Sequence, residues 1–229
     1  MPVYRMMYAK EGPARYISHL DLLRTFERAA RRAGLPIAFT SGFNPHPKIA
    51  FAAPLAVGTA GEAEYADLEL VREVPVSSIQ RDLSGTLPEG LRLVEVRRLG
   101  ERAPALMSMV ERATYRGEAR LKSAVSQGAL DRAIEAFLGR SEILVQRKNK
   151  AGENRVYDIR PGIFAMSGRL DNDIIIIETE LKTGSRDNIR FEEVVEAFST
   201  SSELPIEGKY VLYRTCLFSA VDKDNKTLW

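Results

Sequence analysis

His19 and His46 are the only two histidines of the chain, and each lies among residues that suit a bound anion or nucleotide. Ser18 and His19 precede an apolar repeat that predicts a helix, and a helix start offers unbonded N–H groups and a partial positive charge. His46 lies in SGFNPHP, a run of turn-forming residues that Lys48 follows. These two segments are our candidate site for a phosphate or a carboxylate.

The segment around His46 also carries groups that recognise nucleotides. Phe43 can stack on a base, Asn44 can bond a base edge or a ribose, and Lys48 can meet a phosphate. Each residue also has a structural interpretation: Phe43 as a core residue, Asn44 as an Asx turn before Pro45, and His19 as support for the helix start. Two prolines stiffen the loop, which therefore loses little conformational entropy on binding.

A second basic segment occurs in the later part of the chain. Three of the four residues 147–150 are basic: Arg147, Lys148 and Lys150. This segment predicts an RNA contact or, alternatively, a solvated hairpin tip. Shortly after it, Asp158 and Arg160 favour a local structural pair.

Composition excludes several chemistries. A single cysteine, Cys216, allows no internal disulfide and no cysteine-rich zinc or iron–sulfur site, and we expect no metal and no cofactor. Walker A, G-x-G-x-x-G and H-E-x-x-H motifs are missing. With 45% hydrophobic residues, no long apolar run and no secretory signal, we expect a folded, cytoplasmic protein without a membrane partner.

The near-neutral net charge of +2 conceals an uneven distribution. Residues 1–48 hold 8 Lys+Arg against 3 Asp+Glu, and residues 101–160 hold 12 against 8. Residues 49–100 hold 8 Asp+Glu against 5 Lys+Arg, and residues 161–229 hold 12 Asp+Glu against 8 Lys+Arg. Two basic stretches that face a polyanion, or ordinary solvated helix faces, both fit this pattern.

Periodicity predicts the order β-α-β-β-α-β in the first half of the chain. The predicted elements are strands Val3–Ala9, Ile37–Thr40, Glu64–Val71 and Leu91–Arg98, with helices from Ser18 and over Val76–Leu87. Lys48–Pro54 is a further strand or an extended segment. With Ile37–Thr40 as the second strand, SGFNPHP becomes the β2–β3 loop, which lies at the same end as the first helix start. We therefore expect His19 and His46 to lie close together.

The second half predicts the same order, with the second strand at Glu142–Arg147 and Val156–Leu170 unassigned. The basic loop Arg147–Lys150 then lies at the end that carries Lys122 and Ser123, and side-by-side domains would join both basic ends. The predicted fold class is α+β, with two tandem ferredoxin-like (βαββαβ) domains with antiparallel sheets. The predicted domains are 1–100 and 105–229, separated by GERAP.

The blocks SHLD and GFNPHPK, with the later YDIRP, resemble the radical-SAM-linked protein family of unknown function (domain of unknown function 2344). The resemblance covers most of the chain and marks these matching residues: Ser18, His19, Asp21, Gly42, Phe43, Asn44, Pro45, His46, Pro47, Lys48, Tyr157, Asp158, Arg160 and Pro161. It implies a radical SAM protein as partner, since this chain lacks the three cluster cysteines. A looser likeness, at the level of the fold alone, is to the CRISPR repeat-processing endoribonucleases.

Three functions follow as hypotheses. The leading one is an RNA-binding accessory protein, for tRNA or rRNA, that works with a radical SAM enzyme. The second is a metal-independent endoribonuclease in which His19 and His46 act as general acid and base. The third is a protein-docking subunit of a radical SAM enzyme that binds no nucleic acid.

Overall fold

A computed structural model describes residues 1–100, 103–148, 152–184, 188–219 and 228–229. Contacts divide the chain into two compact units. The first unit is Met1–Glu111 with Arg214–Trp229, and the second unit is Arg112–Tyr213. No helix in the described ranges is long and apolar enough to cross a membrane.

The first unit has the chain order β-α-β-β-α-β. Its elements are β1 (Val3–Lys10), α1 (His19–Arg32), β2 (Ile49–Phe51), β3 (Ala60–Glu69), α2 (Val76–Ser84), β4 (Leu91–Arg98) and the short α3 (Leu106–Met109). In the sheet, β1 lies between β4 and β3, and β2 pairs with the other edge of β3, all antiparallel. This places the strands in the order β4-β1-β3-β2.

Local chemistry defines both ends of α1. The hydroxyl of Ser18 accepts a hydrogen bond from the N–H of Asp21 at 3.2 Å and donates to its carboxylate at 2.7 Å. This cap satisfies one of the unbonded N–H groups of the first turn. At the other end, Gly34 adopts φ +67° and Leu35 donates its N–H to the carbonyl of Ala30. A left-handed residue at this place is the usual helix stop, and glycine adopts it without strain.

The core of the first unit lies between α1 and the sheet. The rings of Tyr8, Phe26 and Phe51 meet edge to face, with centroids 4.9 to 6.0 Å apart. Aromatic rings prefer this arrangement because the positive edge of one faces the negative face of another. The cluster fixes α1 against β1 and β2.

The second strand of the first sheet is not Ile37–Thr40 and lies instead within Lys48–Pro54, which the sequence left as a strand or an extended segment. The predicted strand Ile37–Thr40 forms only isolated bridges, Ile37 with Leu70 and Phe39 with Pro47, and β2 begins later, at Ile49. SGFNPHP therefore belongs to the connection between α1 and β2. It is not the β2–β3 loop.

The second unit contains β5 (Val110–Leu121), α4 (Gln127–Leu138), β6 (Leu144–Lys148), β7 (Asn154–Asp158), β8 (Ile163–Asp171), β9 (Ile174–Lys182), α5 (Phe191–Ser202) and β10 (Ile206–Ser219). The first two residues of β5, and β10 from Arg214 onward, are grouped with the first unit. The sheet order is β10-β5-β9-β8, and β6 pairs only with β7 in a separate hairpin. Ile175 and Ile177 of β9 are fully buried, as their apolar run predicts.

Here too the second sheet strand is not the predicted one. The end of the predicted strand Glu142–Arg147 does belong to a strand, β6, which begins at Leu144. However, β6 pairs with β7 and lies outside the sheet. The sheet position belongs to β8, which pairs with β9 from Ile163↔Leu181 to Asp171↔Ile174. The unassigned stretch Val156–Leu170 thus contains the end of β7, a 3-10 turn at Arg160–Gly162 and most of β8.

The fold class is α+β with mostly antiparallel sheets, as predicted. The domain limits 1–100 and 105–229 stay a prediction, and the contacts group the chain differently at two points. They extend the first unit to Glu111. They place Arg214–Trp229 with the first unit. The physical reason is a buried ion pair, since Arg214 donates to Glu64 of β3 at 2.5 and 2.8 Å.

Candidate functional site

The connection between α1 and β2 folds as a hairpin, which we call the first hairpin (residues 37–48). Thr40 donates its N–H to the carbonyl of His46, and the N–H of His46 returns a bond to the hydroxyl of Thr40, both at 2.9 Å. Lys48 donates its N–H to the carbonyl of Ala38 at 2.8 Å. These bonds close the base of the hairpin and hold the tip, residues 41–45, away from it.

The tip presents its side chains to solvent. Phe43 is 107% exposed, which excludes the core interpretation, and Asn44 and His46 are exposed too. Within the described ranges, neither the Asn44 amide nor the His46 imidazole makes a hydrogen bond, so Asn44 forms no Asx turn. Gly42 has φ +122°, a conformation that side chains with a Cβ rarely adopt. The tip therefore presents an aromatic face and the unbonded Asn44 amide, and the unbonded His46 imidazole lies next to it at the base of the hairpin.

Next to this hairpin, α1 carries a row of exposed arginines, Arg24, Arg28 and Arg31, which we call the arginine face. Their spacing of three and four residues places them on one side of the helix. Arg24 and Arg31 form ion pairs with Asp21 and Glu27 at 3.4 and 2.8 Å. Pairs this exposed contribute little and exchange readily for another anion. Arg28 has no partner within the described part of the chain.

One contact joins the arginine face to the first hairpin. The guanidinium of Arg31 lies 5.4 Å from the centroid of the Phe39 ring. Phe39 itself is 37% exposed and lies at the base of the hairpin, where it forms a bridge with Pro47. The arginine face thus adjoins the base of the first hairpin at Arg31.

The structure separates His19 from His46. The α1 start follows the Lys10 end of β1, and the His19 ring packs edge-on against Phe51 at 5.4 Å. The first hairpin enters the sheet at the opposite end of β1, because Ile49 and Tyr4 both pair with Leu68. Ser18 and His19 therefore lie at one end of the sheet and the hairpin at the other.

Lys48 lies at the base of the first hairpin rather than at its tip. Its ammonium group forms an ion pair with Glu69 of β3 at 3.0 Å, and both side chains are about two-thirds buried or more. This pair reduces the charge that Lys48 offers to a phosphate.

In the predicted basic loop of the second unit, Arg147 is neutralised by an ion pair. Arg147 binds the carboxylate of Glu193 in α5 at 2.6 and 2.9 Å, and its guanidinium lies over the Tyr157 ring. Lys148 is exposed, and Lys150 lies outside the described residues. The β8–β9 turn, which lies beside the end of β5, instead carries Asp171 and Asp173.

The side chains of Asp158 and Arg160 bind backbone groups and do not pair with each other. The Asp158 carboxylate accepts the N–H groups of Ile143 and Arg160 at 2.8 and 3.0 Å. The Arg160 guanidinium donates to the carbonyls of Leu138 and Ile163 at 2.8 and 3.1 Å. Both residues fasten the foot of the β6–β7 hairpin, which is a structural role.

Sequence reasoning missed a group of buried charges in the first unit. Arg214 and Glu64 are almost fully buried, and so is Lys10, whose ammonium donates to the carbonyl of Ile17 at 3.0 Å. Burial lowers the pKa of Lys10, Glu64 opposes that shift, and Arg214 adds to it. A lysine at the inward position of the apolar strand VYRMMYAK is the signal that could have revealed this group. These charges hold chain segments together and do not reach solvent.

No group of three or more His, Cys, Asp or Glu residues suited to a metal ion occurs in the described ranges. A cavity of about 710 Å³ opens between β6 and α5 of the second unit. Glu142, Glu196 and Arg140 line it, with Thr200 among the neutral residues. This mixed lining presents no set of converging groups comparable to the tip of the first hairpin.

Comparison with solved structures finds similar folds at low sequence identity. One is a crystal structure of a Cbf5-Nop10-Gar1 complex, with TM-score 0.50 and 9% identity over 94% of this chain and 48% of that one. Another is the archaeal box H/ACA sRNP Nop10-Cbf5 complex, with TM-score 0.48 and 10% identity over 93% and 46%. The chain spans about half the length of these two structures. At such identity the first likeness shows the fold alone.

Comparison with the curated proteins finds no match. A family model does match, over residues 3–191, which include the SHLD block, the first hairpin and the Asp158–Arg160 anchor. The chain therefore belongs to the family described as "Uncharacterized protein conserved in bacteria" (DUF2344).

Proposed function

We propose that this protein binds RNA, of the tRNA or rRNA class, as an accessory protein of a radical SAM enzyme. The surface that carries the proposal is the arginine face with the tip of the first hairpin. The single strongest observation is Phe43, a fully exposed phenyl ring on a closed hairpin beside three surface arginines. Arginines for phosphates and an aromatic ring for a base are the two parts of an RNA-binding surface.

The charge distribution supports the same surface. Residues 1–48 carry a net charge of +5, and only Asp21 and Glu27 interrupt the arginines of α1. A polyanion that displaces these weak pairs gains phosphate contacts and releases counterions. The affinity is therefore expected to fall steeply as the salt concentration rises.

We also propose that the chain consists of two ferredoxin-like domains in tandem. The first unit supports this with the order β4-β1-β3-β2, and the second with the equivalent order β10-β5-β9-β8 around an inserted hairpin. The strand order and the βαββαβ sequence of each unit are those of the ferredoxin-like arrangement.

The radical SAM partner is the part of the proposal that rests on the resemblance of the SHLD and GFNPHPK blocks. The first unit offers a surface for such a partner where β1 leads into α1. Tyr16, Leu20 and Val57 are each about 60% exposed there. A pull-down with a radical SAM protein, in which Leu20→Glu lowers recovery and Met107→Glu does not, tests this step.

The endoribonuclease alternative has less support. Acid and base must lie within about one nucleotide of each other, but His19 packs on Phe51 and His46 lies in the hairpin beyond the other end of β1. Cleavage that His46→Ala abolishes would restore this alternative, and a denaturing gel of the same samples detects it.

Titration of labelled tRNA and rRNA fragments at low and high salt tests the RNA-binding proposal. The triple variant Arg24→Ala, Arg28→Ala, Arg31→Ala is expected to bind at least tenfold more weakly and to reduce the salt slope by two to three units, roughly one for each arginine. Arg81→Ala, on the exposed side of α2, is the matched control and keeps the wild-type affinity. Binding that is absent at both salt concentrations, or equal in the triple variant and the control, contradicts the proposal.

A further inference from the structure

We infer that the first hairpin recognises an unpaired nucleotide, so that the RNA bound by this protein presents a loop, bulge or single-stranded segment there. This inference rests on the proposed function and narrows its substrate class. Three points support it: the exposure of Phe43, the unbonded Asn44 amide beside it and the geometry of an RNA duplex.

Phe43 exposes the whole of its ring. An exposed phenyl group leaves a substantial apolar surface in water, and burial of that surface on binding is favourable. A base in an A-form duplex has both faces covered by stacking, and the deep, narrow major groove admits no side chain. Only a base outside the duplex stack offers a face to the Phe43 ring.

The hairpin restricts the backbone that carries this ring before any ligand arrives. The paired Thr40 and His46 close the base, and Pro45 and Pro47 each fix one backbone angle of the descending arm. Gly42 turns the chain at φ +122° directly before the ring. A tip with this little freedom loses little entropy when it binds, which favours a specific contact over a loose apolar one.

Two further groups are suited to the nucleotide that stacks on Phe43. The neighbouring Asn44 amide makes no bond within the described part of the chain and offers a donor and an acceptor to a base edge. Below the tip, the guanidinium of Arg31 lies over the Phe39 ring. Arg28, which has no partner within the described residues, lies about one turn earlier on the same face of α1. The surface therefore provides a stacking group for one base and cations for the adjacent backbone.

Three RNAs of matched length and sequence test this inference: a stem with an open loop, the same stem as a blunt duplex, and the loop sequence as a single strand. We expect the loop and the single strand to bind at least tenfold more tightly than the blunt duplex at the same salt concentration. Phe43→Ala is expected to weaken binding of the two unpaired RNAs by about 5- to 150-fold, the range measured for loss of one base stack. Phe43→Trp, which keeps an aromatic face, is expected to retain most of the affinity.

The controls separate this inference from the proposed function. Phe43 contributes no buried surface, so Phe43→Ala leaves the fold intact, and its salt slope is expected to equal that of the wild type. If all three RNAs bind equally, or if Phe43→Ala changes nothing, the unpaired-base inference is wrong while RNA binding stands. If no RNA binds and Phe43→Ala abolishes recovery of a radical SAM protein instead, both proposals fail and the tip is a protein contact.

Discussion

Both units extend a hairpin between the first helix and the second strand of the sheet, and the two hairpins treat their basic residues in opposite ways. In the first unit, the arginines beside the hairpin remain on the surface, and Arg28 has no partner within the described part of the chain. In the second unit, Arg147 of the β6–β7 hairpin is drawn to Glu193 of α5. A count of charges along the chain shows both segments as basic, but it does not show that Arg147 is paired whereas Arg28 is not paired within the described residues.

The hairpins also differ in how they are fastened. The first is closed by backbone bonds and stiffened by prolines, without an ion pair at its tip. The second is held at its foot by side chains that bind backbone groups, through Asp158 and Arg160, and on its side by Arg147. A two-stranded hairpin alone is marginally stable in water, so the second one depends on these side chains. Arg147 of the second hairpin therefore has a structural role, whereas the proposed binding surface beside the first hairpin leaves its arginines exposed.

The largest effect that sharpens this comparison is expected from Glu193→Ala. It leaves Arg147 half-buried without its carboxylate, and hydrogen bonds to a charged partner contribute about 1.5–3 kcal/mol. We expect the free energy of unfolding to fall by about 2 kcal/mol, with faster amide exchange in residues 144–148. Urea unfolding measures the first quantity, and the exposed Glu196, one turn position further along α5, provides the control as Glu196→Ala. Equal stability of the two variants contradicts a structural role for Arg147.

A second prediction concerns alkaline pH and the last strand of the second unit. Burial raises the pKa of Tyr210 to about 12, from 10.0 for a free tyrosine. Above pH 10 the unfolded chain releases this proton before the folded chain does, so stability falls as the pH rises from 10 to 12. Between pH 9 and pH 11 the loss from this group is about 1.3 kcal/mol. Urea unfolding at pH 9 and pH 11 is expected to show a smaller decline for Tyr210→Phe than for the wild type, while the exposed Tyr16→Phe declines like the wild type.

The third prediction compares the same substitution, glycine to alanine, at one position in each hairpin. Gly42 and Gly152 both have positive φ, at +122° and +83°, so that alanine strains either turn by about 1–3 kcal/mol. Gly42→Ala is expected to lower RNA affinity severalfold because it moves the Phe43 ring. Gly152→Ala is expected to leave that affinity unchanged. An equal loss in both variants, measured by the same titration, would remove the distinction between a binding hairpin and a structural one.

The smallest expected effect comes from removing a single cation, either beside the first hairpin or on the second. Arg28→Ala is expected to reduce the slope of log affinity against log salt by about one unit, since it removes one phosphate contact. Lys148→Ala, on the second hairpin, is expected to leave the slope as it is. The reverse result would assign the RNA surface to the second unit.

Sequence patterns predicted the helices well because their signals are local. Ser18 and Ser126 cap α1 and α4, and Gly34 and Gly139 follow them, as their positions indicate. Strand partners are set by residues far apart in the chain, and this is where the prediction was wrong. Nothing within Glu142–Arg147 reveals that β8 takes its place beside β9. The same error placed SGFNPHP at the wrong end of the first sheet, and with it the expected meeting of the two histidines.

For the site, the sequence identified the residue types but not their state. The chemistry of Phe43 and Asn44 was predicted, whereas the exposure of both depends on how the hairpin closes. The arginine face was visible as charge, but the pairing of Lys48 with Glu69 and of Arg147 with Glu193 was not. Which cations stay available is a property of the packed structure.

The buried pair of Arg214 and Glu64 has a consequence for the order in which the two units fold during synthesis. Residues 1–111 leave the ribosome first, yet the partner of Glu64 is more than a hundred residues behind, after the entire second unit. Until then the nascent first unit holds a carboxylate at a buried position without its guanidinium, which disfavours a closed core. The second unit is contiguous and free to fold as soon as its own chain has emerged. We therefore expect vectorial synthesis to complete the N-terminal unit last.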